Sequence, residues 1–283
     1  MVEKVRVGSV EIAAVQDADW VFAPATFLPN VPKEEWKKWE PNLNEEGHMH
    51  SRVMTYVVRS QGKTILVDSG VGAWGTWRFG NGHLPERLAA IDVTPEMIDF
   101  VLPTHMHVDH VGWNTRPDKD GQPVPTFPNA RYLIQRADWD HFTRPQILDA
   151  GTPQAAVMKN SVLPMQNTGL MELIGSEAKI TDEVTLLHAP GHTPGQVAVL
   201  VQSGGEACLL IGDVCHHPSQ LTQHDWSPVA DIDGALSARS RAAVARMAKQ
   251  VDALVAGGHF NDRTFGRMIE LDGRSVWRGV DLP

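Results

Sequence analysis

Thr104-His105-Met106-His107-Val108-Asp109-His110 is the stretch on which the reading of this chain turns. It follows directly on the apolar run Phe100-Val101-Leu102, which places the first histidines at the end of a β-strand. In extended backbone, side chains at i and i+2 leave on the same face. His105 and His107 can therefore reach one ion together, while Met106 turns away into the core. Asp109 and His110 are neighbours and cannot share a strand face. The chain must turn near Asp109 if both are to point at a second ion.

Three further residues complete the set, each after an apolar, strand-like run: His192 in APGHTPG, Asp213 in LLIGDV and His259 in VAGGHF. The glycines beside them let the backbone bend so that each side chain can face a cleft. Five imidazoles and two carboxylates can hold two ions with three or four protein ligands each, provided one carboxylate bridges. Asp213 is the natural bridge, because a carboxylate offers two oxygens. Two divalent ions about 3.5–4 Å apart would bring a shared water to a pKa of about 7 and so create a bridging hydroxide as nucleophile. Zinc suits such mixed imidazole and carboxylate ligands; manganese, iron and cobalt suit them too. Asp109 is the candidate to hold that nucleophile and shuttle its proton. His216, three residues after the bridge, is the candidate general acid.

Around these residues the pattern alternates strand and helix. Val5, Val7, Val10 and Ile12 fit two strands about the Gly8-Ser9 turn, and RVMTYVVRS with KTILVDSG reads as a hairpin closed by Gln61-Gly62. PERLAAI and TPEMIDF read as helices, the latter with Thr94 as N-cap. RYLIQ, EVTLLHA, GQVAVLVQ and ACLLIGD read as strands, and ADWDHF starts a helix. Asp233 can cap a helix through SARSRAAVARMAKQ, after which DALVAGGH supplies a last strand. No linker or repeat divides residues 1–283, so the expectation is a single α/β (α+β) domain. Residues 17–50, rich in proline and aromatics and helical only in EEWKKWE, are expected to form a loop beside the site. Trp20, Phe22 and Phe27 from it, with Trp74, Trp77 and Phe79, could wall a substrate pocket, or could anchor loops or a dimer contact.

The net charge of −9 leaves no basic excess for phosphates, which disfavours nucleic acid as a partner. Glu3, Lys4, Arg6 and Glu11 interrupt any leader-length apolar run, and no membrane-spanning stretch appears. Cys208 and Cys215 are too few for a disulfide framework. A cytoplasmic protein acting on a small molecule, with a homodimer as an option, is the resulting expectation. Rival motifs fail on context. Gly70, Gly72 and Gly75 match a dinucleotide fingerprint but open no helix, no GxSxG elbow exists, and Gly62-Lys63-Thr64 lacks the earlier glycine of a phosphate loop. Asp118, Asp120 and Gly121 lack a calcium loop's later glutamate. His48, His50 and His217 are read as solvated loop positions.

Taken in order, THMHVDH, APGHTPG, IGD and GGH, with Asp68 in VDSG upstream, resemble the motifs of the metallo-β-lactamase superfamily. The resemblance runs from about Met54 to His259. It implies an αββα sandwich: two mixed β-sheets face to face with helices outside. It also implies that His105, His107 and His192 take one ion, that Asp109, His110 and His259 take the other, and that Asp213 bridges. Asp68 would support the site loops. Asp213 departs from true β-lactamases, His107 from the flavodiiron branch, the short tail after His259 from glyoxalase II, and the missing basic arm from RNase Z. FPNARYLIQRADW and GDVCHHPSQL are similar to the group holding N-acyl homoserine lactone lactonases and methyl parathion hydrolase. Lactone or carboxylic ester hydrolysis is the implied activity. A phosphotriester or aryl-ester hydrolase is the enzymatic alternative, and a metal-sequestering or sensing protein the non-enzymatic one. Many of those lactonases carry tyrosine where this chain has His216.

Overall fold

In Val197–Ser203, Val197, Val199 and Val201 join one hydrophobic cluster while Ala198 and Leu200 join another, so the strand is buried on both faces. That two-sided burial sets the architecture. In the computed structural model, which describes residues 2–36, 43–261 and 263–281, two seven-stranded sheets lie face to face. The first runs β1 (Glu3–Val7), β2 (Val10–Phe22), β3 (Met49–Ser60), β4 (Lys63–Val67), β5 (Phe100–Leu102), β6 (Arg131–Gln135) and β7 (Met171–Ile174), side by side in chain order. The second continues with β8 (Lys179–Thr181), β9 (Val184–His188), β10 (Val197–Ser203), β11 (Glu206–Leu210), β12 (Leu254–Ala256), β13 (Gly266–Leu271) and β14 (Arg274–Gly279). Both are mixed: β4 to β7 pair in parallel, as do β11 and β12, and the other ladders are antiparallel.

Between the sheets, Val10, Ile12, Tyr56, Val58 and Ile65 meet Val184, Val199, Val201, Cys208 and Leu210. The outer face of the first sheet is covered by Leu84 and Leu88 of helix α1 (Leu84–Ala89). Helix α2 (Arg136–Phe142) follows β6 and packs Phe142 against Ile134. The outer face of the second sheet is covered by Val244, Ala245 and Ala248 of helix α3 (Gly234–Gln250), which is the crossover between parallel β11 and β12. Asp233 caps α3 through its side chain on the Leu236 amide, 2.9 Å away, as its sequence position predicts. This is the α/β sandwich expected. No helix among the described residues is long and apolar enough to cross a membrane.

Several expectations need correction. Residues 17–22 are not loop: β2 continues to Phe22, paired with Met49 of β3. A register shift between Gln16 and Ala18 changes the phase of the alternation, and the buried Asp17 breaks the apolar pattern. Beyond Phe22, Pro24–Phe27 and Lys33–Trp36 are single helical turns, whereas Trp39, Pro41 and the rest of EEWKKWE lie outside the described residues. TPEMIDF makes only a 3-10 turn at Pro95–Met97. The strand in DALVAGGH is not the last one, because β13 and β14 follow as a hairpin about Asp272 and Gly273, both at positive φ. His217 is not solvated but buried, with Nδ1 2.7 Å from Ser219 Oγ.

Candidate metal centre

All seven residues singled out from the sequence lie on connections that follow strands. His105, His107, Asp109 and His110 follow β5, His192 lies between β9 and β10, Asp213 follows β11, and His259 follows β12. The chain turns at 108–110 and enters a 3-10 turn at Gly112–Asn114, so the turn required by the His105 to His110 spacing is present. Met106 is fully buried, packed with Ile134 and Phe142. Asp213 sits in a tight turn behind Gly212, whose φ of +48° places its Cα against Thr104 Oγ1, where a Cβ would come within 2.4 Å. At Gly258 a Cβ would stand 2.8 Å from Asp213 Oδ1, so the GGH glycine leaves room for the carboxylate.

The side chains form two clusters that share Asp213. In the first, His107 Nδ1 lies 3.0 Å from His105 Nε2 and 2.8 Å from His192 Nε2, and Asp213 Oδ2 is 3.4 Å from His192 Nε2. In the second, Asp213 Oδ1 is 3.2 Å from both His110 Nε2 and His259 Nε2, and Asp109 Oδ2 is 3.3 Å from His259 Nε2. His216 joins the rim, with Nε2 3.0 Å from Asp213 Oδ2 and its ring stacked on His259.

The donor set fits cations better than it fits itself. His107 Nδ1 has an imidazole nitrogen of His105 at 3.0 Å and one of His192 at 2.8 Å, and the three cannot all carry protons, so lone pairs converge. His110 Nε2, His259 Nε2 and Asp213 Oδ1 are buried without an aligned hydrogen bond despite their proximity. Two of the opposite ring nitrogens are hydrogen-bonded, His192 Nδ1 with Asp231 Oδ1 at 3.0 Å and His259 Nδ1 to Arg52 O at 2.8 Å, while His110 Nδ1 lies 3.0 Å from Asp68 Oδ2 without an aligned hydrogen bond. Such partners fix the tautomer that leaves the inward nitrogen bare. Asp68 also accepts from the Thr104 amide at 2.6 Å, so it supports the turn that carries His105.

The electrostatics agree. Burial pushes His105 and His107 well below the ordinary imidazole value. Burial also opposes a proton on His110 and His259, yet the Asp213 and neighbouring carboxylates raise His110 well above its usual range and His259 to about 10. Asp213 is held far below the usual carboxylate range, and Asp109 falls to about 2: burial would raise both, but the surrounding imidazoles outweigh it. The field demands positive charge, and protons supply it when no metal does.

Over the clusters lies a cleft of about 200 Å³ lined by Trp20, Phe27, Trp77, Asp109, His192 and His216, among others. Trp20 stacks edge-on against His259 at 4.9 Å and Phe27 against His216 at 5.0 Å. Phe22 instead lines an adjoining cavity of about 430 Å³, which shares Trp20 and Phe27 as walls. Trp74 is not among the cleft's described lining residues. Its indole N–H donates to Thr115 Oγ1 at 3.2 Å. His48 and His50 sit on the surface beside Glu46 and Asp19.

Residues 51–126, which include the HxHxDH stretch, match the family model described as the metallo-beta-lactamase superfamily. By this match and by its sandwich, the chain is similar to that superfamily. The chain is 23% identical over 224 residues to an N-acyl homoserine lactonase of a Bacillus species, an alignment covering 73% of this chain and 80% of that one. The solved structure of hydrolase AbOPH superposes with a TM-score of 0.83 at 23% identity, covering 100% of this chain and 98% of the other. AidC, described as a dizinc quorum-quenching lactonase, superposes with a TM-score of 0.82 at 20% identity, with the same coverage. The superfamily's sandwich is thus the fold of this chain, and its kinship with the lactonases is distant.

Sequence reasoning missed Asp231 and Arg241. Arg241 is fully buried on α3, four residues after Ser237 and three before Val244, both of which face inward. A cation on the inward stripe of a helix was the signal available.

Proposed function

We propose that this protein is a hydrolase dependent on two divalent metal ions, most naturally zinc, that opens lactones or cleaves carboxylic esters. The observation that carries this reading is the division of Asp213, whose Oδ2 faces His105 and His192 while Oδ1 faces His110 and His259. His105, His107, His192 and Asp213 would hold one ion; Asp109, His110, His259 and Asp213 the other. When bound, the ions supply an activated water at neutral pH and a Lewis acid for the carbonyl oxygen.

The chain's own groups do the rest. Asp109 is ionised and faces the cleft, so it can accept the proton of the attacking water and return it to the departing alkoxide. Burial depresses His216 to about 4, so it is neutral at pH 7 and serves to position Asp213 and the substrate rather than to store a proton. Trp20, Phe27 and Trp77 exclude water and seat an apolar acyl group. Relatives support the substrate class: one is an N-acyl homoserine lactonase, and AidC was solved with a hydrolysed homoserine product.

A pH-stat screen of metal-reconstituted protein over lactones of varied acyl length, aryl esters, thioesters, β-lactams and phosphotriesters tests the proposal. Lactone opening is expected to lead. Turnover of a phosphotriester or thioester orders of magnitude faster would replace the substrate assignment, and inactivity of the loaded protein on the whole panel would favour metal sequestration or sensing.

A further inference from the structure

We propose that Asp231 and Arg241 form a positioning pair that seats His192, a donor of the first cluster only, and so sets the relative affinity of the two metal positions. The proposal rests on the metal reading above. Asp231 Oδ1 accepts from His192 Nδ1 at 3.0 Å, which leaves His192 Nε2 bare toward His107 and Asp213. The other oxygen of Asp231 takes Nη2 of Arg241, and both side chains are almost wholly inaccessible. The remaining Arg241 donors reach the backbone oxygen of Val214 at 3.0 Å, that of His224 at 2.8 Å and Ser237 Oγ at 2.9 Å.

One cation therefore ties together two donors from separate loops: His192, through Asp231, and Asp213, through the carbonyl of the next residue. The loop of His192 is clasped from the same side, because the Ile232 and Asp233 amides donate to His192 O and Gly191 O, and Ser240 Oγ donates to Pro190 O at 2.6 Å. The second cluster has different supports: Asp68 behind His110 and Arg52 O behind His259. Losing the pair should loosen the first cluster and spare the Asp109, His110 and His259 group. Loss of an outer partner of this kind typically costs about 10–100-fold in metal affinity.

The test uses full-length protein loaded with cobalt or zinc, titrated with a chelator while metal per chain and the cobalt absorption bands are followed. Arg241→Met alone strands a buried carboxylate and risks the fold. Asp231→Asn, which is nearly isosteric, conversely leaves the buried Arg241 cation without its carboxylate, whereas the double variant Asp231→Asn/Arg241→Met removes both charges and is the deciding one. Expected is a split between the two steps: one metal leaves at 10–100-fold lower chelator concentration than in the unaltered protein, and the other leaves where it did. Two unchanged steps in folded variants overturn the proposal. So does an equal weakening of both steps, which marks a merely structural role. Failure of the unaltered protein to bind two ions overturns the metal reading itself, whereas failure to hydrolyse lactones leaves this inference standing.

Discussion

Chelation of this protein should lower its melting temperature by about 9 °C, and the size of that shift follows from the donor geometry. The ligands proposed for each ion come from both sheets: the His105 to His110 turn belongs to the first, and His192, Asp213 and His259 to the second. Unfolding separates them, so binding energy at each position adds to folding energy. Free metal at a hundredfold excess over its dissociation constant stabilises by about 2.7 kcal/mol per site, or roughly 5 kcal/mol for two. An unfolding entropy of about 2.1 cal/mol/K per residue gives roughly 0.6 kcal/mol/K for a chain of 283 residues. The quotient is about 9 °C. Differential scanning calorimetry of the zinc-loaded protein, before and after exhaustive chelation, reads it directly. Asp213→Asn removes the charge common to both clusters and should abolish most of the response to added zinc. Melting curves that coincide with and without metal, in protein shown by elemental analysis to have been loaded, would refute the assignment of these seven side chains.

Asp213→Ala should lower metal content and reduce turnover to background, since two cations would then face each other without the shared carboxylate; full activity removes the bridging assignment. Asp68→Asn weakens the hold on both His110 Nδ1 and the Thr104 amide, and a 10–100-fold loss of metal affinity is expected by chelator competition. Trp20→Ala merges the cleft with the adjoining cavity, so KM for short acyl substrates should rise more than for long ones, at a stability cost of about 3–5 kcal/mol in urea unfolding. Burial raises the Cys208 thiol to about 12 against 9.0 when exposed. The folded protein therefore binds more protons than the unfolded chain between those values, and stability is lost as pH climbs through that window. The urea midpoint should be lower at pH 10.5 than at pH 8, with a shallower decline in Cys208→Ala.

Legibility varied with the range of the interactions involved. The HxHxDH stretch announced itself because its constraints are local: spacing, a preceding apolar strand and a turn. The β3–β4 hairpin was readable from Gln61-Gly62, and α3 from its Asp233 cap, for the same reason. The strand through residues 17–22 was hidden by two aspartates and a bulge. Asp17 is tolerated inside because the Val71 and Leu84 amides and the Trp113 indole all donate to it, partners 54 to 96 positions away that no local window contains. The β13–β14 hairpin was missed although Asp272-Gly273 is a strong turn signal, because its strands are charged and half-exposed and lack apolar alternation. Asp231 gained meaning only once folding had set it beside His192 and Arg241.

The order of the sheets bears on how this molecule could be divided. Strands β1 to β7 complete one sheet before β8 begins the other, and only residues 175–178 pass between them. A break there yields two pieces, each with a whole ladder and an incomplete set of donors. Neither could mature the centre by itself, and zinc would act as the glue of their complementation, turning catalytic competence into a signal that both pieces have met.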